Sequence, residues 1–158
     1  MRVLKAPEAL PPHRINDTIP QSIFLAGSIE MGKAENWQEE VTQIFSRSDG
    51  YIFNPRRDDW DSSWEQSIKH PEFYEQVSWE MTALDSCQVI AMYFDPNTKS
   101  PISLLELGMF VESGKLVVCC PEGFWRKGNV DIVCERFNIP NTNNMKDFMS
   151  KVHAKLKY

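Results

Sequence analysis

Histidine and cysteine are scarce, with three of the former and four of the latter in 158 residues. His13, His70 and His153 are scattered and share no ligand spacing with the cysteines, so a zinc site is not expected. Metal-free chemistry without a cofactor is the default. Cys87, Cys119, Cys120 and Cys134 form no C-x-x-C pair, and three of them fall in apolar stretches where a thiol behaves as a small hydrophobe. That usage fits reduced, structural cysteine in a cytosolic protein. No stretch approaches the roughly 20 apolar residues of a membrane span. Residues 1–20 carry prolines and charges but no apolar signal core. The expectation is a cytoplasmic chain with neither export nor a membrane anchor. Basic residues are not in excess: the formal net charge is -5, which argues against broad nucleic-acid binding and for a small-molecule partner. Internal repeats and linkers are also missing.

What is present is the composition of a globular domain, 42% hydrophobic and 25% charged. A chain of this length buries roughly 70% of its unfolded surface without staples. After a lead-in over residues 1–20, residues 21–158 read as one domain. Ser22–Gly27, Tyr51–Asn54, Gln88–Phe94 and Leu116–Cys120 are short apolar runs that predict buried strands. Between them, helical spacing predicts helices over about 33–46, with Trp37, Val41, Ile44 and Phe45 inward, and over about 72–85, with Val77, Met81 and Leu84 inward. A third helix is expected to open at Pro101, capped by Ser100, with Ile102, Leu105, Met109 and Phe110 inward and an end at Gly114. A last helix is expected from about Asn144 to Tyr158. Strands alternating with helices imply an α/β three-layer sandwich with a mostly parallel, flavodoxin- or Rossmann-like sheet.

Acidic residues gather at the predicted strand ends: Asp58, Asp59 and Asp61 after one strand, Asp95 after another, Glu106 on the helix beyond, and Glu80 on the helix between. Several carboxylates without metal-binding histidines suggest glycosyl chemistry, in which one carboxylate attacks the anomeric carbon and another acid handles the leaving group's proton. Plainer readings stand beside this one. Ser103-Leu-Leu-Glu106 matches a capping box, which would spend Glu106 on a backbone N–H. Against that, Pro101 starts the helix earlier and sets Glu106 on an apolar face, where a carboxylate is expensive unless paired or functional. The segment Asn54–Asp61 reads equally as a solvated loop of weak ion pairs, with its arginines bridging carboxylates. Ser62-Ser-Trp-Glu65 reads as a plain helix cap. Gly27-Ser28 is too short to be a phosphate loop. Trp60, Trp64, Trp79 and Trp125 are either stacking platforms for a base or ordinary packing.

Taken together, Phe24-Leu-Ala-Gly-Ser-Ile29, Asn54-Pro-Arg-Arg-Asp-Asp-Trp-Asp61, Val77-Ser-Trp-Glu80, Tyr93-Phe-Asp-Pro-Asn97 and Ser100-Pro-Ile-Ser-Leu-Leu-Glu-Leu-Gly108 resemble the nucleoside 2-deoxyribosyltransferase family, from Ser22 to about Pro140. The resemblance implies transfer of 2-deoxyribose between nucleobases, with Glu106 as the nucleophile on C1′ and Glu80, where many relatives carry aspartate, as a second acid in the pocket. It implies that Gly27 and Ser28 line the sugar pocket, that Asp59 and Asp61 lie near the base or the sugar hydroxyls, and that Asp95 and Asn97 fall near a further acidic position. Asn129 is similar to an asparagine that relatives send into a neighbouring subunit's site, which implies a homo-oligomer with a shared active site; the carboxylate of Tyr158 is a second candidate for that reach. The implied partners are a 2′-deoxynucleoside and a free nucleobase. An N-glycoside hydrolase acting on nucleosides or 5′-nucleotides, and a nucleotide-binding module without catalysis, are the rival readings.

Overall fold

The computed structural model describes residues 1–13, 17–29, 36–57 and 59–157. Asp58, Tyr158 and the expected start of the first long helix at 33–35 lie outside the described residues. Six strands, β1 (Arg2–Lys5), β2 (Ile19–Gly27), β3 (Tyr51–Asn54), β4 (Cys87–Tyr93), β5 (Leu116–Cys119) and β6 (Asn141–Thr142), form one sheet in the order β1-β3-β2-β4-β5-β6. Every pairing is parallel. Five helices cover it: α1 (Trp37–Ile44), α2 (Pro71–Ser86), α3 (Pro101–Phe110), α4 (Lys127–Arg136) and α5 (Met145–Leu156).

The strands are continuous apolar runs because both faces of the sheet are covered. Side chains alternate between two cores, as a two-residue repeat requires. Phe24 and Ala26 of β2, Ile90 and Met92 of β4, and Leu116 and Val118 of β5 pack with Trp79, Ala83, Leu107, Phe110, Val130 and Cys134 from α2, α3 and α4. Their neighbours Ile23, Leu25, Val89, Ala91, Val117 and Cys119 pack with Trp37, Val41, Phe148 and Val152 from α1 and α5. The three-layer α/β sandwich with a parallel sheet is thus the fold. All four cysteines are free and buried. Burial pushes the Cys87, Cys120 and Cys134 thiols up to about 12, so they stay protonated and serve as packing.

Three expectations about elements need correction. The edge strands β1 and β6 and the helix α4 were not expected, and Arg2–Lys5 pairs with Tyr51–Asn54 along its whole length. The inward faces of α2 and α3 differ from those expected. On α2, Gln76, Trp79, Ala83 and Leu84 are buried while Val77 is exposed; on α3, Ser103, Glu106, Leu107 and Phe110 are buried while Ile102, Leu105 and Met109 are exposed. Ile44 of α1 is likewise exposed, while Phe45, just after α1, is buried as expected. Ser62–Glu65 caps no helix; α2 begins later, with Pro71 at its first position and the His70 ring accepting from the Phe73 N–H.

The strand order sets a topological switch point between β2 and β4, whose crevice is a candidate ligand site. From β2 the chain passes to β3 on one side and later returns to β4 on the other, so the connections leave β2 and β4 in opposite directions at their C-terminal ends. Open parallel sheets bind ligands at such switch points. Gly27 ends β2 with φ +127°, and a Cβ there would lie 2.1 Å from the Tyr93 carbonyl oxygen. Only glycine permits that approach of β2 to β4.

Candidate active site

At the crevice floor the Ser28 hydroxyl is buried and engaged. It accepts from the Asp95 N–H at 2.8 Å and shares hydrogen bonds with Thr98 Oγ1 at 2.8 Å and Ser100 Oγ at 2.6 Å. Thr98 and Ser100 are 2.8 Å apart, and Thr98 also donates to the Asp95 carbonyl. This three-hydroxyl cluster ties the end of β2 to the loop that enters α3. Within that loop Asp95, 2% exposed, accepts from the Asn97 N–H and side-chain amide, while Asn97 itself is exposed. Ser100 takes a left-handed conformation (φ +46°) at the N-cap of α3, and its hydroxyl bonds to Ser28 and Thr98 and not to an N–H of the helix.

The cluster aims α3. Pro101 is its first residue and Glu106 its sixth, so Glu106 is past the first turn and the capping-box reading is excluded. Glu106 is 8% exposed on the buried face of α3. Among the described residues, no side chain donates a hydrogen bond to it. Burial, and then the negative charge of Glu80, push its carboxyl up to about 8. Glu80, half-buried on α2, is also pushed up by burial, offset by the Gln76 amide that donates to its Oε1 at 2.7 Å. Two buried carboxyls whose charges act on each other cannot both ionise cheaply, so the pair holds a proton at neutral pH.

The loop after β3 is built differently. Asn54 is buried and turns the chain by accepting from the Arg56 N–H. The Arg56 guanidinium reaches the buried Gln38 Oε1 at 3.5 Å. Arg57, mostly buried, bridges two carboxylates: Asp59 at 2.6 and 3.2 Å, and Glu75 at 3.7 Å, too long for a hydrogen bond. Its guanidinium lies 5.1 Å from the Trp64 ring centre. Asp59 is exposed and held below the usual carboxylate range by Arg57. Asp61, exposed too, accepts from the Ser63 N–H and is also lowered. Both are committed to local partners at the rim.

Of the tryptophans, Trp79 is core, donating to the Glu8 carbonyl and packing edge-on to Phe53. Trp60 and Trp64 pack on each other at 5.1 Å, and Trp125 is exposed between Lys99 and Arg126. Asn129 is exposed on the first turn of α4. An open cavity of about 560 Å³ beside β6, lined by Lys127, Asn141, Thr142, Asn143, Asp147, Ser150 and Lys151, includes none of the candidate acids.

Gln76, Gln38 and Thr98 were not singled out from the sequence. Gln76 stands four residues before Glu80 and therefore on the same helical face, a spacing that marks it in retrospect. No helix among the described residues is long and apolar enough to cross a membrane. The sequence model of the family described as nucleoside 2-deoxyribosyltransferase like matches residues 20–124. No curated protein matches the chain.

Proposed function

The chain belongs to the nucleoside 2-deoxyribosyltransferase-like family, and on that footing we propose that it moves 2-deoxyribose between nucleobases through a covalent deoxyribosyl intermediate on Glu106. The observation that carries the reading is the burial of Glu106 with no donor among the described residues. Among the described residues nothing compensates that carboxylate, whereas an electrophilic C1′ would use it. In the reaction, the ionised Glu106 oxygen forms a bond to C1′ as the C1′–N bond breaks, and the base leaves with the bonding electrons and takes up a proton. Glu80 is proposed to supply it, from the one proton that the pair holds. A second base then displaces Glu106, and two inversions give net retention. Gly27 and the rim around Asp59, Asp61, Asp95 and Asn97 are proposed to bound the sugar and base, and no cofactor enters the scheme.

The test is base exchange with a panel of 2′-deoxynucleosides and free bases, scoring new nucleosides against free sugar. Exchange by the wild type and its loss in Glu106→Gln are expected. Normal exchange by that variant sinks the assignment, and release of sugar alone turns it into a hydrolase.

The cytoplasmic, homo-oligomeric form with a shared site is part of the same proposal. The exposed apolar residues Ile102, Leu105 and Met109 on α3, with Tyr74 and Val77 on α2, support it, since side chains of this kind on neighbouring helices mark association surfaces. Leu105→Asp should turn an oligomer into a monomer in sedimentation velocity and lower exchange at least tenfold; a wild-type monomer at assay concentration removes this part.

A further inference from the structure

Gln76 is 3% exposed and lies one helical turn before Glu80. Its amide nitrogen donates twice, to the Glu80 carboxylate at 2.7 Å and to the Pro55 carbonyl at 3.0 Å. These two acceptors fix which way the amide points, since turning it over would set its oxygen against two oxygens. The cost falls at the other end: the Gln76 carbonyl oxygen is buried with no partner among the described residues. An amide that served only the fold would be satisfied at both ends, because an orphaned buried acceptor is destabilising. Here both hydrogens go to one purpose, joining the main chain that leaves β3 to an acid of the crevice.

Resting on the reading of Glu80 and Glu106 as the reacting acids, we propose that Gln76 is a positioning residue that fixes the Glu80 carboxylate against the Pro55 main chain and keeps it the ionised member of the pair in the empty site. An N–H donated to a carboxylate oxygen favours the charged form. The groups that act on the pair are few. Gln76 of the same helix is the one side chain that acts on Glu80, and Glu80 is the one charge that acts on Glu106, among the described residues. With Glu80 charged, the resting proton sits on Glu106; substrate entry then has a single route to reaction, in which the proton passes to Glu80 as Glu106 ionises. Without Gln76 the proton would rest on Glu80 before any substrate arrives, and the Glu80 side chain would lose its anchor.

The test compares Gln76→Met, similar in size and without a donor, and Gln76→Asn, which keeps the donor one methylene short, with Glu80→Gln and the Gln76→Met/Glu80→Gln pair. Infrared titration of the carboxyl groups in the ligand-free protein, assigned with Glu80→Gln and Glu106→Gln, needs no turnover. Gln76→Met should lower the Glu106 titration by about one pH unit and raise that of Glu80, with Gln76→Asn between it and the wild type. In base exchange, Gln76→Met should lower kcat at least tenfold with KM changed less than threefold, and add less than twofold to the loss in Glu80→Gln. Wild-type titration in folded Gln76→Asn and Gln76→Met protein, or losses that multiply in the pair, would overturn the proposal. A wild type that exchanges no base at all refutes the transferase reading instead, and the infrared result still decides the role of Gln76.

Discussion

Asp59 and Glu106 both follow the C-terminal end of a strand in the chain, yet one is exposed and ion-paired and the other is buried with no donor among the described residues. Arg57 holds the Asp59 carboxyl below its usual range, whereas burial and Glu80 push Glu106 up to about 8. A solvated acid with a cation beside it costs the fold little and needs no further reason. An enclosed acid without a partner is destabilising as a carboxylate, and its persistence points to work done outside folding. The density of acidic residues along the chain does not separate the two cases; their surroundings do.

The sharpest way to break that comparison is to measure what each acid does to stability as pH changes. Glu106 binds its proton more tightly in the folded chain than in the unfolded one, where an ordinary glutamate titrates near about 4.3. Between that value and about 8 the folded state therefore holds more protons, so stability is full below pH 4 and falls as pH rises toward 8. Glu106→Gln should abolish this slope, giving melting temperatures at pH 8 above those of the wild type, while exchange activity falls at least about a thousandfold. In the wild type, kcat/KM should fall as pH rises through about 8, where the pair loses the one proton that Glu80 hands to the leaving base. Parallel stability curves for the two proteins would mean that Glu106 is not the enclosed acid described here.

The next effect is on the ends of β2 and β4 and the loop that enters α3. Gly27→Ala sets a Cβ against the Tyr93 carbonyl at a φ that other residues rarely adopt, and should cost at least about 3 kcal/mol in urea unfolding. Ser28→Ala, which leaves Thr98 and Ser100 with each other but removes the Ser28 acceptor of the Asp95 N–H, should cost about 1–3 kcal/mol. Its fall in kcat should exceed its fall in stability if the hydroxyl cluster aims α3. A Gly27→Ala protein as stable as the wild type would show that β2 and β4 do not close as described.

The sequence made some of this legible and hid the rest for identifiable reasons. The four central strands are unbroken apolar runs between turn residues, and such runs have one reading in a chain whose helices alternate with them. Arg2–Lys5 and Asn141–Thr142 are too short and too polar to announce themselves as edge strands. Helix α3 is apolar on nearly every side, so its pattern sets no phase, and the buried side proved to be the one carrying Ser103 and Glu106 rather than Ile102 and Leu105. The same phase error on α2 concealed Gln76, which reads as a solvent-facing amide until Pro55 and Glu80 are seen to hold it. A motif is what singles Glu106 out in the sequence; that it lacks a donor among the described residues is visible only in three dimensions.

The smallest effect belongs to the rim, and it sharpens the comparison from the other end. Asp59→Asn removes the anion from a pair whose acid side is exposed, so salt screens the pair already and the melting temperature should move by no more than about 1 °C at neutral pH. Arg57 keeps Glu75 and the Trp64 face after the change, and so does not become a bare buried charge. If Asp59 borders the base as proposed, its loss is felt in ground-state binding: KM for the incoming base should rise by about two- to fivefold with kcat unchanged. Steady-state exchange at saturating and limiting base separates these two constants. A fall in kcat approaching that of Glu106→Gln would place Asp59 among the reacting groups, and the contrast between the exposed acid and the buried one would no longer tell rim from centre.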